Sequence, residues 1–235
     1  MSDAGSCKGS TVYCARCGVK SALLCTLTDE ELRRVDAGKL QVTFRQGETI
    51  RKQGTFLSHV LILRSGLAKV YLEGPGDRNT ILRIVRPTHF IGGPGLHYER
   101  IHHYSVSALT RTEVCFIDAS LFLELLKSNA SFAAEYMKDY SMNTLAVYDR
   151  LVNITQKQMP GRMADTLLYF FDEVIGKEKG TLLLSRQDLA DLSAMSKESA
   201  IKTLREFQRS GAIHLKEEEI TLLDRDALVR VSRTG

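Results

Sequence analysis

The chain has no apolar run long enough to cross a membrane, and no signal peptide precedes its first cysteines. A cytoplasmic protein without a membrane partner is the expectation. An excess of one charge is also missing: 32 Lys and Arg stand against 28 Asp and Glu, for a formal net charge of +4. From Gly161 onward the balance even reverses, with 12 Lys and Arg against 13 Asp and Glu, a net of −1. That excludes a polycation held to nucleic acid by charge alone. No nucleophile elbow, Walker sequence or paired-carboxylate signature occurs, so an enzyme is not expected. Cysteine is sparse past the N-terminus. Four of the five, Cys7, Cys14, Cys17 and Cys25, fall in the first 25 residues, and the fifth is Cys115. Where thiols stay reduced, such a cluster speaks for metal or redox work rather than disulfides.

What is present is organised around residues 182–223. Ser185 followed by Asp188 forms a capping-box-like helix start. A turn at Ser193-Ala194-Met195 leads to a second N-cap at Ser196. Ala200, Leu204 and Phe207 share one face of the helix that follows, while Glu198, Lys202, Arg205 and Arg209 occupy the opposite face. Gly211 stands where a helix end favours a left-handed residue. The apolar runs 212–215 and 220–223 flank Lys216-Glu217-Glu218-Glu219 and read as a hairpin wing. Two short helices joined by a tight turn, the second basic and followed by a wing, point to a winged helix-turn-helix and to DNA. An ordinary pair of bundle helices is the alternative.

Upstream, Cys14-x-x-Cys17 has metal-ligand spacing. The alternative is a terminal tail with incidental cysteines. Thr28 with Glu31 opens a short helix. Short apolar runs at 60–63, 68–71, 80–85 and 114–117, separated by glycines, predict strands of a barrel or jelly roll. Residues 132–156 form the longest helical pattern. Tyr136, Tyr140, Val147 and Leu151 lead an apolar stripe suited to a dimer seam, with part of it free to pack on the chain's own barrel. Met159-Pro160-Gly161 breaks the pattern and marks a hinge. Leu167, Leu168, Phe170 and Phe171 open a C-terminal core helix. The expected domains are residues 1–27, a cysteine-containing segment; 28–128, a sensing barrel; 129–158, a dimerisation helix; and 159–235, the winged helix-turn-helix.

In this order the parts resemble the CRP/FNR family of bacterial transcription regulators. The resemblance is carried by Gly47-Glu48-Thr49-Ile50, Gln53-Gly54, Ile62-Leu63-Arg64-Ser65-Gly66, Phe90-Ile91-Gly92 and Leu184-Ser185-Arg186-Gln187-Asp188-Leu189-Ala190. It implies an α+β fold: a cyclic-nucleotide-binding-like barrel, a long dimerisation helix and a winged helix-turn-helix. It also implies a homodimer on a palindromic promoter site, with RNA polymerase as a partner.

The cyclic-AMP-binding members hold ribose with a Glu and the phosphate with an Arg-Ser pair. Here those positions are Gly93 and, nearby, His103-Tyr104, so cyclic AMP is not expected. Oxygen-sensing members resemble the chain through a cysteine set, here Cys14, Cys17, Cys25 and Cys115. That set implies a 4Fe-4S cluster, with Cys7 as an alternative ligand. The spacing from Cys17 to Cys25 is longer than the family's, and Cys115 can equally be a small buried hydrophobe. A zinc or thiol switch, or a small-molecule or haem effector in the barrel, stays open, haem through His97, His102 and His103. For base reading the resemblance singles out Lys197, Glu198, Ile201 and Lys202. Ser185, Arg186, Gln187, Ser196 and Arg205 are assigned to the surrounding contacts with DNA.

Overall fold

The computed structural model describes Cys14, Cys17 and residues 21–181, 183–217 and 219–235. Cys7 and its role as an alternative ligand lie outside them. Eight strands form two four-stranded sheets. They are β1 (Leu40–Phe44), β2 (Thr49–Arg51), β3 (His59–Ser65), β4 (Ala68–Leu72), β5 (Thr80–Val85), β6 (Phe90–Ile91), β7 (Ser105–Ala108) and β8 (Thr112–Asp118). The sheet orders are β1-β8-β3-β6 and β2-β7-β4-β5. Short antiparallel strands divided between two sheets are the expected sandwich-like barrel. The described chain separates into two compact units. One runs to Val70 and continues with Val85–Leu145, and the other comprises Tyr71–Ile84 and Ala146–Gly235.

In the first unit local chemistry sets the helix starts. Thr28 caps α1 (Asp29–Gly38): its hydroxyl accepts from Glu31 N at 3.3 Å, and the Glu31 carboxylate accepts from Thr28 N at 2.8 Å. Asp118 caps α2 (Ala119–Ser128), accepting from Ser120 N and Leu121 N at 2.8 and 2.9 Å. Asn129 starts α3 (Ala130–Gln156) by accepting from Phe132 N at 2.9 Å. β3 pairs with β8 in the register Leu61↔Phe116 and Leu63↔Val114, all four side chains buried. A helical layer covers the sheet. Phe90 stacks on Phe122 at 4.8 Å, and Tyr136 meets both rings edge-on.

That aromatic cluster corrects one expectation. Tyr136 is only 3% exposed, and its hydroxyl hydrogen-bonds His97 Nε2 at 3.0 Å. A side chain committed to its own core cannot reach a partner, so Tyr136 leaves the dimer seam. The apolar face of α3 open to solvent holds Met137, Tyr140, Leu145, Val147, Tyr148 and Leu151.

The second unit begins its own helix after Gln158. α4 (Met159–Tyr169) carries Pro160 in its first turn, where a missing amide proton costs nothing. The Met159-Pro160-Gly161 break therefore restarts a helix. A side chain at Gly161 would meet the Gly235 carbonyl oxygen at 2.6 Å, so this position needs glycine. After Tyr169 the backbone widens into a π-helical segment, Phe170–Ile175, and Phe170 and Phe171 are both buried. Then follow β9 (Lys179–Thr181), α5 (Arg186–Leu192), α6 (Lys197–Arg209), β10 (Ile213–Lys216), β11 (Glu219–Leu222) and α7 (Arg225–Thr234). The small sheet has the order β10-β11-β9, and its core includes Met163, Leu167, Leu189, Leu204, Ile213, Ile220 and Leu228.

Candidate nucleic-acid interface and thiol pocket

Side-chain capping places α5 and α6. The Ser185 hydroxyl accepts from Asp188 N at 3.0 Å, and the Asp188 carboxylate accepts from Ser185 N at 3.0 Å. The turn Ser193-Ala194-Met195 closes with Met195 N donating to Ala190 O at 3.1 Å, and Ala194 adopts φ +49°. Beneath it, the buried Ser193 hydroxyl donates to Thr166 Oγ1 at 2.9 Å, which pins the turn to α4. Ser196 caps α6 by accepting from Ser199 N at 3.2 Å. Arg150 adds a bond from α3, donating to the Asp191 carbonyl at 3.2 Å. Burial lowers its guanidinium to about 10.

Ala200, Thr203, Leu204 and Phe207 bury one face of α6. Lys197, Glu198, Lys202 and Arg205 stand on the exposed face, with Ile201 half-buried beside them. Bonds from its own backbone amide and from the Ser196 hydroxyl hold the Glu198 carboxyl below the usual range, so it is a ready acceptor. A depression of about 370 Å³ brings Arg186, Ile201 and Arg205 together with Leu204, Gln208, Leu215 and Glu217. Gln208, on α6 itself, and Glu217, in the wing turn, were not in the sequence-derived set; only the tertiary fold brings Glu217 here. Ser185 and Gln187 sit at the same helix end but are engaged locally. The Ser185 hydroxyl also donates to Asp188 at 2.6 Å, and Gln187 Nε2 donates to Asp191 at 2.7 Å.

In the first unit, Cys14, Cys17 and Cys115 line one pocket with Leu24, Lys39 and Arg64. The Cys14 thiol donates to Asp36 Oδ1 at 3.3 Å and accepts from Lys39 Nζ at 3.1 Å. Burial pushes it up to about 11, and burial also raises Cys115, so both favour the neutral thiol at pH 7. Cys25, in the 3₁₀ turn Leu24–Thr26, is not among the pocket's lining residues. Among the described residues no three His, Cys, Asp or Glu side chains are placed to hold a metal ion. Three of the four expected cluster thiols, Cys14, Cys17 and Cys115, thus share one pocket.

Comparison with known proteins matches both units. A cyclic nucleotide-binding domain profile covers residues 41–129, and a Crp-like helix-turn-helix domain profile covers residues 161–231. The chain belongs to the CRP/FNR family. It is 22% identical over 217 residues to the nitrogen fixation regulation protein FixK of Bradyrhizobium diazoefficiens, covering 90% of each. With the fumarate and nitrate reduction regulatory protein of Escherichia coli K12 it shares 24% over 238 residues, 95% of this chain and 92% of that protein. Among solved structures, FixK2 from Bradyrhizobium japonicum superposes with a TM-score of 0.75 at 18% identity, covering 82% of this chain and 96% of that one.

In this CRP/FNR-type DNA-binding transcription regulator, Gly93 follows β6 in the loop that leads to β7. Gly93 has φ +74°, and a side chain there would meet the Tyr104 hydroxyl at 2.7 Å. His103 lies 4.0 Å from Glu99, and His97 is held by Tyr136. No helix is long and apolar enough to cross a membrane among the described residues.

Proposed function

We propose that this regulator binds a palindromic promoter site as a homodimer seated on α3, and that a small-molecule effector in the barrel, other than cyclic AMP, controls that binding. The supporting observation is the exposed face of α6, where an ionised Glu198 stands beside Lys197 and Lys202. Glu198 can accept from a cytosine amino group in the major groove, and Lys202 can approach guanine as a point charge without the fork of arginine. Arg186 and Arg205 flank these residues as phosphate contacts. RNA polymerase is then the partner recruited or excluded at the promoter. Binding-site selection on wild type and Glu198→Ala tests the assignment. The variant is expected to lose preference at one base pair per half-site, at about 1–3 kcal/mol. An unchanged preference refutes it.

A second reading, control by oxygen, redox state or zinc, is favoured by the three thiols sharing one pocket. A thiol switch needs no more than these thiols, whereas a four-thiolate cluster needs a fourth ligand beyond the three that line this pocket. Oxygen-free protein that is both colourless and free of zinc refutes the metal forms of this reading.

A further inference from the structure

The last turns of α3 carry two stripes with different neighbours. Val147, Tyr148, Leu151 and Val152 are exposed. Arg150, Asn153 and Ile154, with Lys157 just past the helix end, recur at i, i+3, i+4 and i+7 and are all half-buried. This second stripe is fastened to the helices that follow. Asn153 Nδ2 and Lys157 Nζ both donate to Asp165 of α4, the latter at 2.6 Å, and Lys157 reaches Ser232 of α7 at 3.2 Å. The Ile154 carbonyl accepts from Arg162 Nη1 at 3.3 Å. From Ala146 onward α3 accordingly lies in the same compact unit as α5 and α6.

Arg150 is the member of the stripe that bonds to the helix-turn-helix itself. The last carbonyls of a helix have no partner within it. At the end of α5, Leu189 O accepts from Ser193 N at 2.9 Å and Ala190 O from Met195 N at 3.1 Å, both bonds made inside the turn. Asp191 O is instead satisfied from α3, by Arg150 Nη2 at 3.2 Å. The Arg150 Nε is buried without a partner. A methionine of like length would fill the same space without stranding a polar nitrogen. What the guanidinium adds is a directed bond from α3 to the turn.

We propose that Arg150 is a specificity-determining positioning residue. It fixes the angle between α3 and the helix-turn-helix, and with it the separation of the two half-sites that the dimer accepts. In a two-fold dimer seated on α3, the two recognition helices are related only through the two copies of that helix. Play between α3 and α5 then enters twice, once in each half. A planar guanidinium aims its donors more narrowly than the freely turning ammonium of lysine. The inference rests on the reading of a homodimer on a palindromic site.

The test uses the full chain and the palindrome recovered by binding-site selection with wild type. Affinity is measured for that site and for versions with one base pair added or removed between the half-sites. One base pair turns a half-site by about 34–36° and moves it by about 3.4 Å. Wild type should lose at least about tenfold in affinity on either change, whereas Arg150→Met should lose only about threefold. A merely structural role would weaken Arg150→Met on all three sites by one factor and leave that ratio untouched. Arg150→Lys, which keeps a charged donor without the fork, should fall between the two. Sedimentation should show dimers throughout, and a monomeric Arg150→Met would place the residue in the seam and overturn the assignment. An unchanged ratio in Arg150→Met overturns the proposal while the promoter reading stands. A wild type that selects no two-half-site palindrome, or binds all three spacings alike, overturns the reading beneath it and the proposal with it. Should Arg150→Met fail to fold, Arg150→Gln, whose amide is too short to reach Asp191 O, takes its place with the same outcomes.

Discussion

Acidification should destabilise the first unit through one side chain. His102 falls from 6.5 to about 4 in the folded chain, because burial and the Arg51 charge oppose its cation. Between those two values the unfolded chain binds a proton that the folded chain refuses, so stability rises with pH across this window and is lost as pH falls through it. About 2.5 units at 1.36 kcal/mol each amounts to roughly 3 kcal/mol, present at pH 7 and gone near pH 4. The chain has no Trp, so urea unfolding is read from its 8 tyrosines. Wild type and His102→Gln are compared at half-unit steps from pH 4 to 7.5. Carboxylates titrate in both proteins, and the difference between the two curves isolates His102. The difference should grow by about 3 kcal/mol between pH 4 and 6.5 and be flat above. Parallel curves would refute the burial and charge argument.

Three further outcomes follow from the geometry. Val147→Asp with Leu151→Asp should yield monomers in sedimentation and abolish DNA binding, and a surviving dimer places the seam elsewhere. Ser193→Ala should cost about 1–3 kcal/mol in denaturation by stranding the buried Thr166 hydroxyl. Adding Thr166→Val should recover part of that loss, whereas strictly additive costs would exclude the pairing. Arg186→Ala should weaken binding to all sequences alike and reduce the salt slope by about 1, and a sequence-selective loss would make it a base-reading residue instead.

Local chemistry was the legible part of the sequence. The boxes Thr28/Glu31 and Ser185/Asp188 depend on residues three apart, and the strands at 60–63 and 114–117 on short apolar runs bounded by turns. The winged helix-turn-helix followed from the same kind of signal. What escaped was decided by distant neighbours. Tyr136 carries the same helical periodicity as Leu151, and periodicity does not say whether Phe122 or a second copy will cover a side chain. His97, His102 and His103 look alike in sequence, but only His102 is fully buried, because Gly54 and Thr55 clasp its backbone. Cys25 entered the ligand set through the family resemblance despite its long spacing from Cys17, and Leu24 lines the pocket where Cys25 does not. Glu217 shares a depression with Arg186 because the wing carries it there.

The wing itself bears on how the regulator behaves among a genome of competing sequence. Its turn places Glu217, at φ +53°, beside Arg186 and Arg205, within a domain segment whose net charge is −1. A carboxylate there offsets part of the attraction that random phosphates exert, and non-specific association rests almost entirely on that attraction. On that charge balance, search by short encounters rather than long sliding runs is the expectation, with promoter occupancy following the concentration of free, competent regulator.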